Sequence, residues 1–118
     1  MLDALFGNKT AARVLLYLQN YEEGYAREIA ATFELPPTAV QNQLRKLEAA
    51  GILVSRLIGR TRLYTWNPRY PLLKQLRLLL AEALKYSTDK QIKAYFRKRK
   101  RPRRAGKPLW LQSKSANP

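Results

Sequence analysis

Four polar side chains between residues 38 and 45 could form directional hydrogen bonds with a partner. At about 100° of turn per residue, their spacing places them on one side of an α-helix. Amide and guanidinium groups can pair with base edges through two hydrogen bonds, and a short hydroxyl side chain lets a helix come close. This chemistry suits reading the bases of double-stranded DNA. The four residues are Thr38, Gln41, Asn42 and Arg45.

The helix that carries these four residues is predicted to span residues 37–49. Proline suits the first turn of a helix and disfavours helix in the residue before it, so Pro36-Pro37 ends one helix and starts the next. Gly51 lies where helices are commonly capped in the left-handed conformation. A polar face that only meets solvent is the alternative interpretation. The buried stripe is predicted to consist of Val40, Leu44 and Leu47.

A short helix precedes this one, and a β-hairpin follows it. Residues 26–33 place Ile29, Ala30 and Phe33 on one helical face. Residues 52–58 are rich in aliphatic side chains and residues 62–66 alternate as a half-buried strand does, with a tip at residues 59–61. Helix, turn, helix and hairpin in this order predict a winged helix-turn-helix, a mainly α fold with a small β-hairpin wing.

The residues ahead of this motif are predicted to supply framework. Asn8 can cap a first helix that runs to about Asn20. Residues 22–24 are predicted to form a turn. The inward side chains of the first helix are predicted to be Ala11, Val14, Leu15 and Leu18.

Basic and polar residues at the wing and at the edge of the second helix could contact phosphates or enter the minor groove. An ordinary hairpin with solubilising arginines is the alternative. The candidate backbone or minor-groove contacts are Lys46, Arg56, Arg60, Thr61 and Arg62.

A leucine-rich helix is predicted over residues 71–86. Its apolar stripe spans about 140°, which is wider than one small domain usually covers. We therefore expect one seam to pack on the core and the other on a second copy of the chain, although both could be buried within the monomer. The expected interface residues are Leu72, Leu73, Leu76, Leu79, Leu80, Ala83 and Leu84.

Positive charge is concentrated at the C-terminal end of the sequence. Residues 1–89 hold 12 Lys plus Arg and 8 Asp plus Glu, whereas residues 90–118 hold 11 basic residues and no acidic one. We expect a domain at residues 1–87, then a short helix and a weakly structured tail at residues 88–118 that binds polyanions non-specifically. The tail's basic cluster is Arg97, Lys98, Arg99, Lys100, Arg101, Arg103 and Arg104.

Composition argues against several classes of function. The chain has no Cys and no His, which removes thiolate and imidazole metal ligands and the commonest general base. It also lacks a phosphate-cradling Gly loop, so we expect no enzyme activity, no metal and no cofactor. No apolar run approaches the roughly 18 residues of a membrane span. We expect no membrane partner and a cytoplasmic, nucleoid-associated location.

Several runs of the sequence resemble prokaryotic winged helix-turn-helix regulators of the ArsR-like type. The resemblance implies DNA binding through the second helix of the motif, a wing beside it, and dimerisation through the terminal helices. Such regulators usually carry Gly or Asn where this chain has Glu34, so either the turn differs or Glu34 holds a positive φ. The matching runs are residues 27–30, 35–40 and 44–53, with a similar opening at residues 5–15.

The function expected from these features is a homodimeric, sequence-specific regulator of transcription that binds double-stranded DNA. Repression is the expected sign, because occupancy alone can block a promoter. Two alternatives stay open at this point. One is a noncatalytic, antitoxin-like partner of an enzyme such as a nucleotidyltransferase, and the other is an RNA-binding winged helix.

Overall fold

The helices and strands follow one another in the order of a winged helix-turn-helix. The computed structural model describes residues 2–86, and the predictions made for residues 87–118, including the short helix and basic tail, lie outside the described residues. The elements are α1 (Leu2–Phe6), α2 (Lys9–Tyr21), β1 (Glu23–Tyr25), α3 (Ala26–Phe33), α4 (Pro37–Ala49), β2 (Leu53–Ile58), β3 (Thr61–Trp66) and α5 (Leu73–Tyr86). The predicted fold class is confirmed.

Helix α2 begins at the predicted cap. The side chain of Asn8 accepts a hydrogen bond from the main-chain N–H of Ala11 at 3.0 Å, which satisfies one of the free donors of the first turn. The short helix α1, which the sequence analysis did not predict, precedes this cap. The four residues predicted to face inward from α2 are all buried.

Helices α3 and α4 have the predicted bounds, and each is followed within two residues by a left-handed residue. Glu34 ends α3 with φ +57°. Of the two alternatives at this turn, a different turn or a positive φ at Glu34, the positive φ is the correct one. Gly51 follows α4 with φ +84°, and the N–H of Ile52 donates to the carbonyl of Leu47 at 3.0 Å. The N–H of Gly51 donates to the carbonyl of Glu48 at 2.9 Å. These two hydrogen bonds close the C-terminal turn of α4 in the manner of a Schellman motif.

The sheet has three antiparallel strands in the order β1-β3-β2. The prediction of a turn at residues 22–24 was wrong in part, because Glu23–Tyr25 forms a strand that pairs with β3. Gly24 is buried there, and a Cβ atom at this position would lie 2.7 Å from Cε1 of Tyr17. The strand therefore needs glycine to approach α2. Thr61, predicted as part of the hairpin tip, is the first residue of β3.

Helix α5 begins at Leu73, two residues later than predicted. It lies on α2, and this contact corrects part of the predicted dimer interface. Leu80 and Ala83 are buried in the protomer's own core, so they offer almost no surface to a second copy. Leu73, Leu76 and Leu84 are partly buried against the same core. Of the predicted interface residues, Leu72 and Leu79 face solvent, and two further exposed apolar residues, not predicted, are Leu78 and Tyr86.

Candidate nucleic-acid interface

The outer face of α4 presents the four side chains singled out from the sequence. Thr38, Gln41, Asn42 and Arg45 are all exposed. The opposite face is anchored by Val40 and Leu44, which are fully buried, and by Leu47, which is partly buried against the core. The helix thus presents hydrogen-bonding groups outward from a fixed base. The role of these groups remains a prediction.

A groove separates α4 from the wing. It is open to solvent, has a volume of about 690 Å³, and is also lined by residues at the start of α3. Gln41 and Arg45 line it from α4. The other residues around the groove are Tyr25, Ala26, Arg27, Pro37, Glu48, Leu57, Arg60, Thr61, Arg62 and Tyr64.

The walls of the groove are strongly basic. Four arginines line it, one from α3, one from α4 and two from the wing, and Glu48 is the carboxylate among its lining residues. All four arginines are exposed. A concave surface with this charge concentrates anions such as phosphates. The four arginines are Arg27, Arg45, Arg60 and Arg62.

Two predicted backbone contacts lie away from this groove. Arg56 pairs with Leu63 in the β2–β3 register, and the alternation of side chains along a strand places it on the face opposite Ser55 and Arg62. Arg56 thus lies near the tip of the wing with Arg62 but on the other face of the hairpin, and its role in DNA binding stays a prediction. Lys46 is exposed on α4, but helical geometry turns it about 100° from Arg45, toward the side of the helix away from the wing.

A chain of side-chain hydrogen bonds connects α4 to both strands of the wing. The Ser55 hydroxyl of β2 donates to Oε2 of Glu48 at 2.9 Å. The same hydroxyl oxygen accepts a hydrogen bond from Nη1 of Arg62 in β3 at 3.2 Å. The end of α4 and the wing are thus joined by polar contacts as well as by the main chain.

Tyr64 lies at the floor of the groove, where these charges meet. Burial raises the pKa of its phenol above the ordinary value of 10.0, and the Glu48 carboxylate raises that pKa further. Arg45 and Arg62 act in the opposite direction, because nearby positive charge favours the phenolate. The phenol is therefore neutral near pH 7 and leaves the net charge of the groove unchanged.

Sequence reasoning missed several residues of the groove. Glu48 follows Arg45 by three residues and Gln41 by seven, so helical spacing could have placed it on the same side of α4. No local spacing in the sequence could have placed Arg27 and Leu57 at the groove. Their positions depend on how α3 packs against α4 and on which face of the hairpin turns inward.

The described residues show neither a cluster of potential metal ligands nor a membrane-crossing helix. Among residues 2–86, no group of three or more Asp, Glu, His or Cys side chains could hold a metal ion. Within the same range, no helix is both long and apolar enough to span a bilayer.

Comparisons with known proteins agree with this geometry. A family model described as a helix-turn-helix domain matches residues 6–56, a range that includes α2, β1, α3, α4 and part of β2. No curated protein sequence matches the chain.

The chain is also similar to a solved structure, the X-ray crystal structure of a transcriptional regulator of the MarR family from Rhodococcus sp. RHA1. The two share 20% sequence identity with a TM-score of 0.50, and the similarity covers 81% of this chain and 63% of that chain. This chain thus spans less than two thirds of that regulator's length. At this identity the match supports a shared fold, and it defines the chain as a winged helix-turn-helix protein.

Proposed function

We propose that this protein is a sequence-specific regulator of transcription that binds double-stranded DNA, of the ArsR-like type. One observation carries the proposal: the exposed hydrogen-bonding face of α4 borders the same groove as the two wing arginines, Arg60 and Arg62. Base-edge donors and phosphate-binding cations thus lie side by side on one surface. A solvated helix face would not require a basic wing next to it.

In the proposed complex, α4 enters the major groove and the wing lies over the adjacent backbone. Gln41 and Asn42 can pair with adenine, and Arg45 can pair with guanine through two hydrogen bonds. Thr38, near the start of the helix, allows close approach and can touch a thymine methyl group. Arg60, Arg62 and Arg27 would hold the phosphates of the strand that passes between α4 and the wing.

We further propose that the protein acts as a homodimer through α5. Leu79 on α5 is 42% exposed, and Leu72, which lies just before the start of the helix, is 56% exposed. Leu78 and Tyr86 extend this apolar surface. A two-fold contact here would present two copies of α4 to a palindromic site, with half-sites one or more helical turns apart.

Repression is the proposed sign of regulation, since a dimer bound at a promoter blocks access without a further activity. The protein would act on the nucleoid in the cytoplasm and would not be an enzyme. Neither DNA binding nor repression requires a small-molecule ligand, because regulation can depend on the amount of protein alone.

Selection of bound sequences from a random duplex library, with the full-length chain, tests the proposal. We expect an enriched palindromic motif, and we expect the variant Asn42→Ala to lose preference at one position of each half-site. Absence of any enriched duplex would contradict the proposed function. Single-stranded or structured RNA that outcompetes the enriched duplex at matched salt would contradict it in favour of RNA binding.

A further inference from the structure

We propose that Ser55 and Glu48 are positioning residues that fix Arg62 for its phosphate and thereby raise sequence specificity. The inference rests on the proposed function, since it concerns how the same surface distinguishes one duplex from another. It assigns a role to two residues outside the base-reading face. Neither residue needs to touch DNA for the role to hold.

The direction of the hydrogen bonds carries the argument. A serine hydroxyl has one proton to donate and lone pairs to accept with, whereas a carboxylate can only accept. Glu48 therefore takes the proton of Ser55, with 2.9 Å between their oxygens. The lone pairs of Ser55 are left for Arg62, whose Nη1 lies 3.2 Å from the hydroxyl oxygen. A guanidinium can only donate, so Ser55 accepts from Arg62 in any case. Glu48 adds a fixed orientation of the hydroxyl, with its proton turned away from the arginine and its lone pairs free for it.

Arg62 gains most from such a restraint because its long side chain is exposed. An arginine side chain gives up rotamer freedom when it binds, and this loss weakens the contact unless the side chain is already ordered. Ser55 lies directly behind Arg62 on the same face of the wing. With one nitrogen held there, the guanidinium has fewer orientations open to it in the groove that it lines.

A phosphate contact held in one place contributes to specificity because it fixes the position of the protein along the duplex. Phosphate contacts fix the orientation of a protein on the duplex, and base contacts then read the sequence. A fixed Arg62 reaches its phosphate fully when α4 sits in the register that also satisfies its base contacts. On an arbitrary sequence the register varies, so prior ordering of the side chain gives no advantage there.

The test measures the affinity of the full-length chain for two duplexes, one enriched by selection with the wild type and one of random sequence. Ser55→Ala removes the acceptor, and Ser55→Thr keeps it. We expect Ser55→Ala to lower the ratio of the two affinities on the order of fivefold while leaving affinity for the random duplex unchanged, because nonspecific affinity follows total phosphate contact. Ser55→Thr should restore the ratio.

Glu48→Gln separates the effect of charge from that of position. Loss of one negative charge from the groove should raise affinity for both duplexes, on the order of threefold at low salt. The ratio should nevertheless fall, because an amide can also donate and no longer fixes the direction of the Ser55 hydroxyl. Asp3→Asn, an equal change of charge at an exposed residue of α1 outside the groove, is the matched control and should change neither quantity.

A double-mutant cycle decides between positioning and a general structural effect. In an Arg62→Ala background, Ser55→Ala should have no further effect on the ratio, since Ser55 acts through Arg62. An equal loss in both backgrounds would overturn the inference, as would an unchanged ratio in Ser55→Ala. If the wild type itself does not prefer the selected duplex, the proposed function fails first, and this result is distinguishable from the other two.

Discussion

The indole N–H of Trp66 donates a buried hydrogen bond to the main-chain carbonyl of Leu18, with 3.2 Å between nitrogen and oxygen. This bond connects the end of β3 to the last turn of α2, and Arg77 from α5 lies over the Trp66 ring at 5.3 Å. The base of the wing is therefore fixed to the core by contacts with two helices. Its arginines extend from a rigid base and not from a free loop.

Replacement of Trp66 by Phe should lower the free energy of unfolding by about 1–2 kcal/mol, because the hydrogen bond is lost and the smaller ring fills the site less well. Urea denaturation measures the change. Leu5→Met, at a side chain of α1 that is 61% exposed, is the control and should change stability by about 0.5 kcal/mol or less. Equal stability of Trp66→Phe and the wild type would show that the bond does not anchor the wing.

The two faces of the wing should differ in their contribution to DNA binding. Arg60 lines the groove, whereas Arg56 projects from the opposite face of the hairpin. Arg60→Ala should therefore reduce the slope of log affinity against log salt by about 0.9, the value for one phosphate. Arg56→Ala serves as the matched control, with the same loss of charge and a smaller effect. Equal slopes for the two variants would contradict the placement of the DNA strand in the groove.

Local signals allowed the motif itself to be predicted from the sequence. Pro36-Pro37 and Gly51 mark the ends of α4, and the predicted bounds of that helix match the structure. Strand β1 has three residues, Glu23–Tyr25, with no apolar alternation, and it exists because it pairs with β3 about forty residues later. Such a pairing leaves no local pattern in the sequence.

The direction in which individual side chains point was harder to predict than the positions of the helices and strands. Whether Arg56 or Arg62 is directed toward α4 depends on which face of the hairpin turns toward that helix. Because side chains alternate along a strand, a shift of the strands by one residue would exchange the two. Leu79 and Leu80 pose the same problem on α5, where rotation of the helix against α2 decides which leucine is buried. Sequence patterning predicted the width of the apolar stripe but not this rotation.

The exposed leucines of α5 provide a test of the proposed dimer. Leu79→Gln should shift the mass in solution from dimer toward monomer, because it replaces an apolar contact with a polar group that the interface would have to desolvate. Light scattering after size-exclusion chromatography measures the mass. Lys46→Gln, at an exposed residue of α4 outside this surface, is the control and should leave the dimer intact. A wild type that is monomeric at micromolar concentration would contradict the proposal.

The basic C-terminal residues should contribute affinity without contributing sequence preference. Truncation after Ser87 removes all 11 basic residues of the segment from 90 to 118 and no acidic one other than Asp89. The salt dependence of binding should become shallower, because fewer counterions are released, while the enriched motif stays the same. Selection with the truncated chain checks both quantities. Loss of the motif with an unchanged salt slope would reverse this division of roles.

A substitution at Arg45 tests directly whether the outward face of α4 reads bases. Binding of Arg45→Ala to the selected duplex and to its single base-pair variants should show a loss on the order of 1–3 kcal/mol and relaxed preference at one position. Lys46→Ala, one residue further along the same helix, should weaken binding about equally across the whole panel. If Arg45→Ala also weakens every duplex equally and keeps the full sequence preference, α4 does not read the DNA and the account is wrong.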